Sequence, residues 1–274
     1  MSSLPDDRIA SSPSIPNNTK SRTKEISLNG ISASKQLDPL ASFIVATNLT
    51  KHYAQGGASI RALDGVDLTI RRGEFVSVIG PRGSGKSTLL YLLGGLERPT
   101  AGRLRIAETD LCVLSDNALA RFRRRNIGFV FQFFNLIPAL TVAENVALPL
   151  LLDGTRYAAL RDRVNPLLEM LSLRDRASRM PSELFADEMQ RVAIARALVM
   201  SPDLILADEP TARLDSRSGA EVLAHLHRAR EDRGVTIVLV THDLSAASCA
   251  DRAVILRDGH IESDAPIKRL SRRV

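Results

Sequence analysis

An apolar run, Phe75–Ile79, passes directly into Gly80-Pro81-Arg82-Gly83-Ser84-Gly85-Lys86-Ser87-Thr88, and an apolar helical pattern follows over Thr88–Leu93. The pattern G-x-x-x-x-G-K-[ST] between a strand and a helix is that of a phosphate-binding loop. Glycines let backbone N–H groups turn inward and approach phosphate oxygens. The helix N-terminus behind them adds positive potential. Lys86 would reach the β- and γ-phosphates of a nucleotide, and the Ser87 hydroxyl would ligate Mg²⁺. Every position from Gly80 to Thr88 (Gly80, Pro81, Arg82, Gly83, Ser84, Gly85, Lys86, Ser87, Thr88) is therefore a candidate nucleotide contact.

Such a site needs an acidic element. Leu204-Ile205-Leu206-Ala207 is an apolar strand that ends in Asp208-Glu209. Asp208 would hold Mg²⁺, directly or through water, and Glu209 could polarise an attacking water. Two adjacent carboxylates behind a buried strand are costly without a cation. Val235–Val240 is a second continuous apolar run, and Ser216–Arg233 between the two has helical spacing, with Val222, Leu223, Leu226 and Ala229 on one face. Strand, helix, strand is the unit of an α/β fold, and continuous apolar runs suit strands buried on both faces of a parallel sheet. Phe43–Ala46 and Val66–Ile70 also read as strands. The middle of the chain, about 107–200, is mostly helical in pattern, with apolar faces over Leu140–Leu152 and Val164–Leu171.

Composition narrows the class further. The 274 residues suffice for one large domain or two small ones. No run of 18 apolar residues occurs, so no membrane-spanning helix is expected, and the start lacks a secretory pattern. Cys112 and Cys249 are the only cysteines, too few for a disulfide framework. The histidines do not combine with them at zinc spacing. A net charge of +6 admits anionic partners, but aromatics are 4% and Trp is absent, which argues against a base-stacking module. No nucleic-acid partner is expected. The densest basic cluster, Arg121, Arg123, Arg124 and Arg125, reads as a solvated face. Residues 1–42 are rich in Ser, Pro, Asn, Lys and Asp and read as a disordered tail. Residues 266–274 read as a short basic tail.

Six further stretches carry a resemblance. They are Asn48-Leu49-Thr50-Lys51-His52-Tyr53, Phe131 to Pro138 with Gln132 second, Arg191 to Leu198, Asp208-Glu209-Pro210-Thr211, Leu214-Asp215 and Thr241-His242-Asp243. With them, residues of about 43–265 resemble the ATP-binding subunit of an ABC transporter, most like the lipoprotein-releasing and macrolide-export group. The resemblance implies a P-loop NTPase fold: a RecA-like parallel-sheet core, an antiparallel β layer and an inserted α-helical subdomain. It implies that ATP and Mg²⁺ are bound, that Tyr53 stacks on adenine and that Gln132 senses Mg²⁺ or water. It implies that His242 contacts the γ-phosphate and orients water beside Glu209. It also implies a homodimer or heterodimer of ATP-binding subunits that drives a separate transmembrane permease from the cytoplasmic face of the membrane.

The departures matter as much. The family's signature reads Leu-Ser-Gly-Gly-Gln or Leu-Ser-Gly-Gly-Glu, and the aligned stretch here is Leu184-Phe185-Ala186-Asp187-Glu188. In the family the serine hydroxyl and glycine N–H groups clasp the γ-phosphate held by the partner's P-loop. Phe185 has no hydroxyl, and Ala186 and Asp187 add side chains where close approach is needed. A carboxylate about 4 Å from a phosphate oxygen would cost about 4 kcal/mol at an effective dielectric near 20. Asp187 and Gln190 have the spacing of a capping box, which would let Asp187 occupy the N–H groups of its own helix. Ala212 and Arg213 also replace the subgroup's usual Gly and Asn, and Arg82 its usual Ser. Two readings stay open: an active ATPase subunit, or one that binds ATP, hydrolyses weakly and pairs with an intact partner. A soluble ABC protein of translation or DNA repair is a third, although such proteins usually carry two such domains or a long coiled-coil insertion.

Overall fold

A computed structural model describes residues 42–55 and 58–267. In chain order these form β1 (Ser42–Gln55), β2 (Ala58–Arg71), β3 (Phe75–Ile79), α1 (Lys86–Leu93), β4 (Ala101–Ile106) and β5 (Thr109–Asp110). Next come α2 (Asp116–Asn126), β6 (Ile127–Phe131), α3 (Val142–Leu152), α4 (Leu160–Met170) and α5 (Ala186–Leu198). The chain closes with β7 (Leu204–Asp208), α6 (Ser216–Arg233), β8 (Thr236–Thr241), α7 (Leu244–Ala247), β9 (Arg252–Arg257) and β10 (His260–Pro266). The tails expected over 1–42 and 266–274 lie outside the described residues, apart from Ser42, Pro266 and Ile267.

Two sheets result. One has the order β10-β9-β3-β8-β7-β6, parallel from β9 to β6, with β10 antiparallel at its edge. The other is antiparallel, in the order β2-β1-β4-β5. Alternation along the central strands divides the core in two. Leu204, Leu206, Val238 and Val240 face α1 and the antiparallel sheet, packing with Leu89, Leu93, Ile44 and Ile70. Ile205, Ala207, Ile237 and Leu239 face the other way, toward residues of α3 to α6 such as Val146, Leu167, Ile194 and Leu226. Every residue of β7 and β8 is buried, which is why Leu204–Ala207 and Ile237–Val240 are continuous apolar runs. This is the α/β architecture that the sequence implies.

Several boundaries differ from the sequence pattern. β1 runs on to Gln55, far past Ala46. Its pairing with β2 shifts register between Ala46 and His52, and Asn48 has φ 48°, so alternation breaks although pairing continues. β2 likewise begins at Ala58, and α1 begins at Lys86, two residues before the apolar pattern does. Within 107–200 most elements are helical, but Ile127–Phe131 is a strand of the main sheet. Its Gly128 weakens the strand signal. A Cβ there would lie 2.5 Å from the Ala197 carbonyl oxygen, so the close approach of α5 requires glycine. In the arginine cluster, Arg123 donates to the Gly95 carbonyl, and Arg124 and Arg125 pair with Asp153. Three of its four members are thus engaged within the fold.

Candidate functional site

The parallel sheet delivers the candidate residues to one edge. Ile79 pairs with Thr241, Val240 with Asp208, and Asp208 with Phe131. The segments that follow these strand ends begin with Gly80, His242, Glu209 and Gln132. Ligands of open α/β sheets bind at such carboxyl ends.

The glycine loop is shaped for close approach. Gly85 has φ 101°, and a Cβ on it would lie 2.2 Å from the Ala62 carbonyl oxygen. Ser84 and Lys86 are buried, whereas Pro81, Arg82, Gly83 and Ser87 are exposed. The Ser84 Oγ has no partner among the described residues. The Lys86 ammonium donates to the Gly80 and Pro81 carbonyls at 2.9 and 2.8 Å, and burial lowers its pKa, opposed by Glu209 and Asp208. Helical geometry leaves the N–H groups of Lys86, Ser87 and Thr88 without intrahelical acceptors. This donor-rich loop fits a polyphosphate. Gly85→Ala is expected to weaken ATP binding more than tenfold and to cost about 1–3 kcal/mol of stability, through strain at positive φ and the clash with Ala62. Nucleotide titration and urea unfolding of the variant check both effects.

Beside the loop, Ser87 Oγ donates to Asp208 Oδ1 at 3.4 Å, and the Tyr91 hydroxyl donates to Oδ2 at 3.5 Å. Asp208 is 9% exposed. Burial, and then the charge of Glu209, push its pKa up, against the pull of Ser87, Tyr91 and Lys86. A cation at this point would reverse that balance. No group of three His, Cys, Asp or Glu residues suited to a metal exists among the described residues. A hydroxyl and one carboxylate fit Mg²⁺, which usually takes few protein ligands and completes its shell with water and phosphate oxygens. Tyr91 is not among the candidates that the sequence offers. Its signal is the four-residue spacing from Ser87, which puts both on one face of α1.

Glu209 lies at φ 48°, and its N–H donates to the Val240 carbonyl. Its Oε1 lies 2.6 Å from His242 Nδ1, and its Oε2 accepts from Thr241 Oγ1 at 3.2 Å. Side-chain exposure is 16% for Glu209 and 50% for His242. Thr241 stands in the sequence beside His242 in the Thr241-His242-Asp243 stretch, but nothing there gives it a role of its own. Tyr53 sits farther out, on β1. Its hydroxyl donates to Glu97 Oε2 at 2.6 Å. Lys51 lies 5.0 Å from the ring centroid.

Gln132 opens a loop braced from below. The buried Asn145 accepts from the Ile137 N–H and donates to the Ile137, Leu140 and Thr141 carbonyls. Asn145→Ala leaves those loop groups unpaired in a buried place, so a loss of about 2–4 kcal/mol in unfolding free energy is expected, read from the urea midpoint.

The segment Leu184–Glu188 corrects one sequence expectation. Helix α5 begins at Ala186, so its third helical residue is Glu188, and the Asp187–Gln190 capping box does not form. Instead, Glu188 accepts from the Phe185 N–H at 3.0 Å and from Arg176 at 2.8 Å. Burial would raise the Glu188 pKa, but these two donors hold it below its usual range. Asp187 accepts from Arg191 at 2.9 Å, one helical turn on. Its charge is thus offset locally, which reduces the repulsion that a bare carboxylate would present to a phosphate. Phe185 is 76% exposed.

Known proteins resemble this chain in sequence and fold. The family model for ABC transporters matches residues 63–212, a span that includes the glycine loop, Gln132, Leu184–Glu188, Asp208 and Glu209 but not Tyr53 or His242. The lipoprotein-releasing system ATP-binding protein LolD of Geobacter metallireducens is 45% identical over 225 residues, 82% of this chain and 100% of that protein. The macrolide export ATP-binding/permease protein MacB of Rhodopseudomonas palustris is 45% identical over 84% of this chain, which spans only 35% of that longer protein. The solved dimeric ATP-binding cassette MJ0796, in a post-hydrolysis state bound to ADP and Pi, superposes with a TM-score of 0.77 at 43% identity, covering 82% of this chain and 99% of that one. The chain belongs to the ABC transporter family and is the ATP-binding cassette subunit, an ABC ATPase, of such a transporter.

Proposed function

We propose that the chain binds MgATP at the glycine loop and hydrolyses it as a dimer of ATP-binding subunits, driving a separate permease from the cytoplasmic face of the membrane. The observation that carries this is the convergence of Lys86, the Ser87–Asp208 pair and the Glu209–His242 pair at one sheet edge. Lys86 and the loop N–H groups hold the phosphates, and Tyr53 flanks the adenine. Ser87, Asp208 and Gln132 hold Mg²⁺, which neutralises charge on the transferring phosphoryl group. Glu209 takes a proton from the attacking water, and His242 holds Glu209 and that water in line.

The permease side is supported by a groove of about 490 Å³ between α2, β6 and α3. Leu96, Phe129, Leu148 and Leu152 line it, with Arg123 and Arg124 among them. It borders the strand that leads to Gln132. An apolar helical segment would fit there. No helix among the described residues is long and apolar enough to cross a membrane.

A second reading rests on Phe185. A homodimer would face each bound ATP with a segment that lacks the serine hydroxyl, so hydrolysis would be slow. A partner with an intact signature would restore the site built on this chain's own glycine loop. Phosphate release by the purified chain, with Lys86→Ala as the control, tests the first reading. Turnover that the control abolishes supports it. ATP binding without turnover supports the second, and no ATP binding overturns both.

A further inference from the structure

The loop that carries Gln132 holds two consecutive non-glycine residues at positive φ, Phe134 at 61° and Asn135 at 50°. Such conformations persist only when their surroundings over-determine them. Arg196 supplies part of that restraint by donating to both their carbonyls, and Asn145 braces the far end. Phe134 itself is buried. Phe133 is not: it is 60% exposed, and its ring has the Arg213 guanidinium carbon 4.3 Å from its centroid. Arg213 belongs to the tight turn that starts at Glu209, where the Ala212 N–H donates to the Glu209 carbonyl and the Leu214 N–H to the Thr211 carbonyl. No carboxylate pairs with Arg213 among the described residues. The stacked pair therefore joins the loop of Gln132 to the turn of Glu209, outside the β6–β7 pairing that ends at Phe131 and Asp208.

We propose that Arg213 is a positioning residue for hydrolysis, stacking on Phe133 so that the loop of Gln132 is held in register with the turn of Glu209. The inference rests on the reading of Gln132 and Glu209 as groups of the reaction. A planar guanidinium suits this role better than an ammonium, because it stacks face to face on the ring. An exposed cation–π contact corresponds to a change of about 2–5-fold.

A double-mutant cycle on the full chain tests it. Arg213→Ala and Phe133→Leu are each expected to lower kcat about 2–5-fold and to leave KM for MgATP within about twofold. The double variant should be no slower than the worse single one, and Arg213→Lys should fall between it and the parent. Losses that multiply in the double variant, or a change in KM with kcat untouched, overturn the proposal. Because the chain has no tryptophan, Phe133→Trp gives it a single indole at the contact. Adding Arg213→Ala to that chain should shift the emission, with or without turnover, and an unchanged spectrum overturns the proposal. Gln132→Ala in the same assay separates the two ideas. Parent-like turnover in that variant removes Gln132 from the reaction and the proposal with it. Impaired turnover alongside a multiplying Arg213–Phe133 cycle removes the latch alone.

Discussion

Glu209→Gln is expected to lower MgATP turnover by about 10²–10⁴-fold and to leave nucleotide affinity at least as high as in the parent chain. The substitution keeps shape and removes charge. The turn itself stays anchored, since the backbone bond to Val240 does not involve the side chain. The carboxylate, in contrast, lies 2.6 Å from His242 and is the group proposed as the base. An amide cannot take a proton from water. The effect on binding has the opposite sign. Glu209 is one of the two causes that push the Asp208 pKa up, so removing its charge makes Asp208 easier to ionise. An ionised Asp208 is the form that binds Mg²⁺. Phosphate release under saturating ATP and equilibrium binding of labelled nucleotide read the two quantities separately. A fall of less than tenfold in turnover, or affinity lost in parallel with rate, would contradict the assignment of Glu209 as the base.

What the sequence exposes and what it hides follow from the same geometry. The glycine loop is visible because its glycines answer to local demands: positive φ at Gly85 and a carbonyl 2.2 Å from where its Cβ would be. β7 and β8 are visible because burial on both faces makes Leu204–Ala207 and Ile237–Val240 wholly apolar. The sequence pattern cuts β1 short because bulges near Asn48 break the alternation that marks a strand. Tyr91 goes unmarked in the sequence, and Thr241 is marked only as a neighbour of His242, because their contacts depend on Asp208 and Glu209 arriving from other strands, at sequence separations of 117 and 32 residues. Asp187 misleads for a smaller reason. Both Asp187 and Glu188 have plausible capping partners in sequence, and a one-residue shift of the helix start decides between them.

Restoring the signature by Phe185→Ser, Ala186→Gly and Asp187→Gly together is expected to raise turnover of the homodimer by about 10²-fold, the scale on which one oxyanion donor acts. Most of that gain should come from Phe185→Ser, because it supplies the missing hydroxyl. The Asp187 carboxylate is already offset by Arg191 at 2.9 Å, so its removal relieves less repulsion than an isolated charge would. The same triple change should lower stability. Two glycines enter the first turn of α5, at about 1 kcal/mol for Ala186→Gly and less for Asp187→Gly, since Asp is already a weak helix former. Arg191 loses its carboxylate partner, although it keeps the Leu171 carbonyl. A variant that is faster yet melts at lower temperature is therefore the expected mark of a clasp given up in exchange for a firmer helix start. Turnover unchanged by Phe185→Ser alone and by the triple change would show that backbone N–H groups at the start of α5 suffice. The exposed Phe185 would then have to be explained by the partner subunit's surface rather than by its nucleotide.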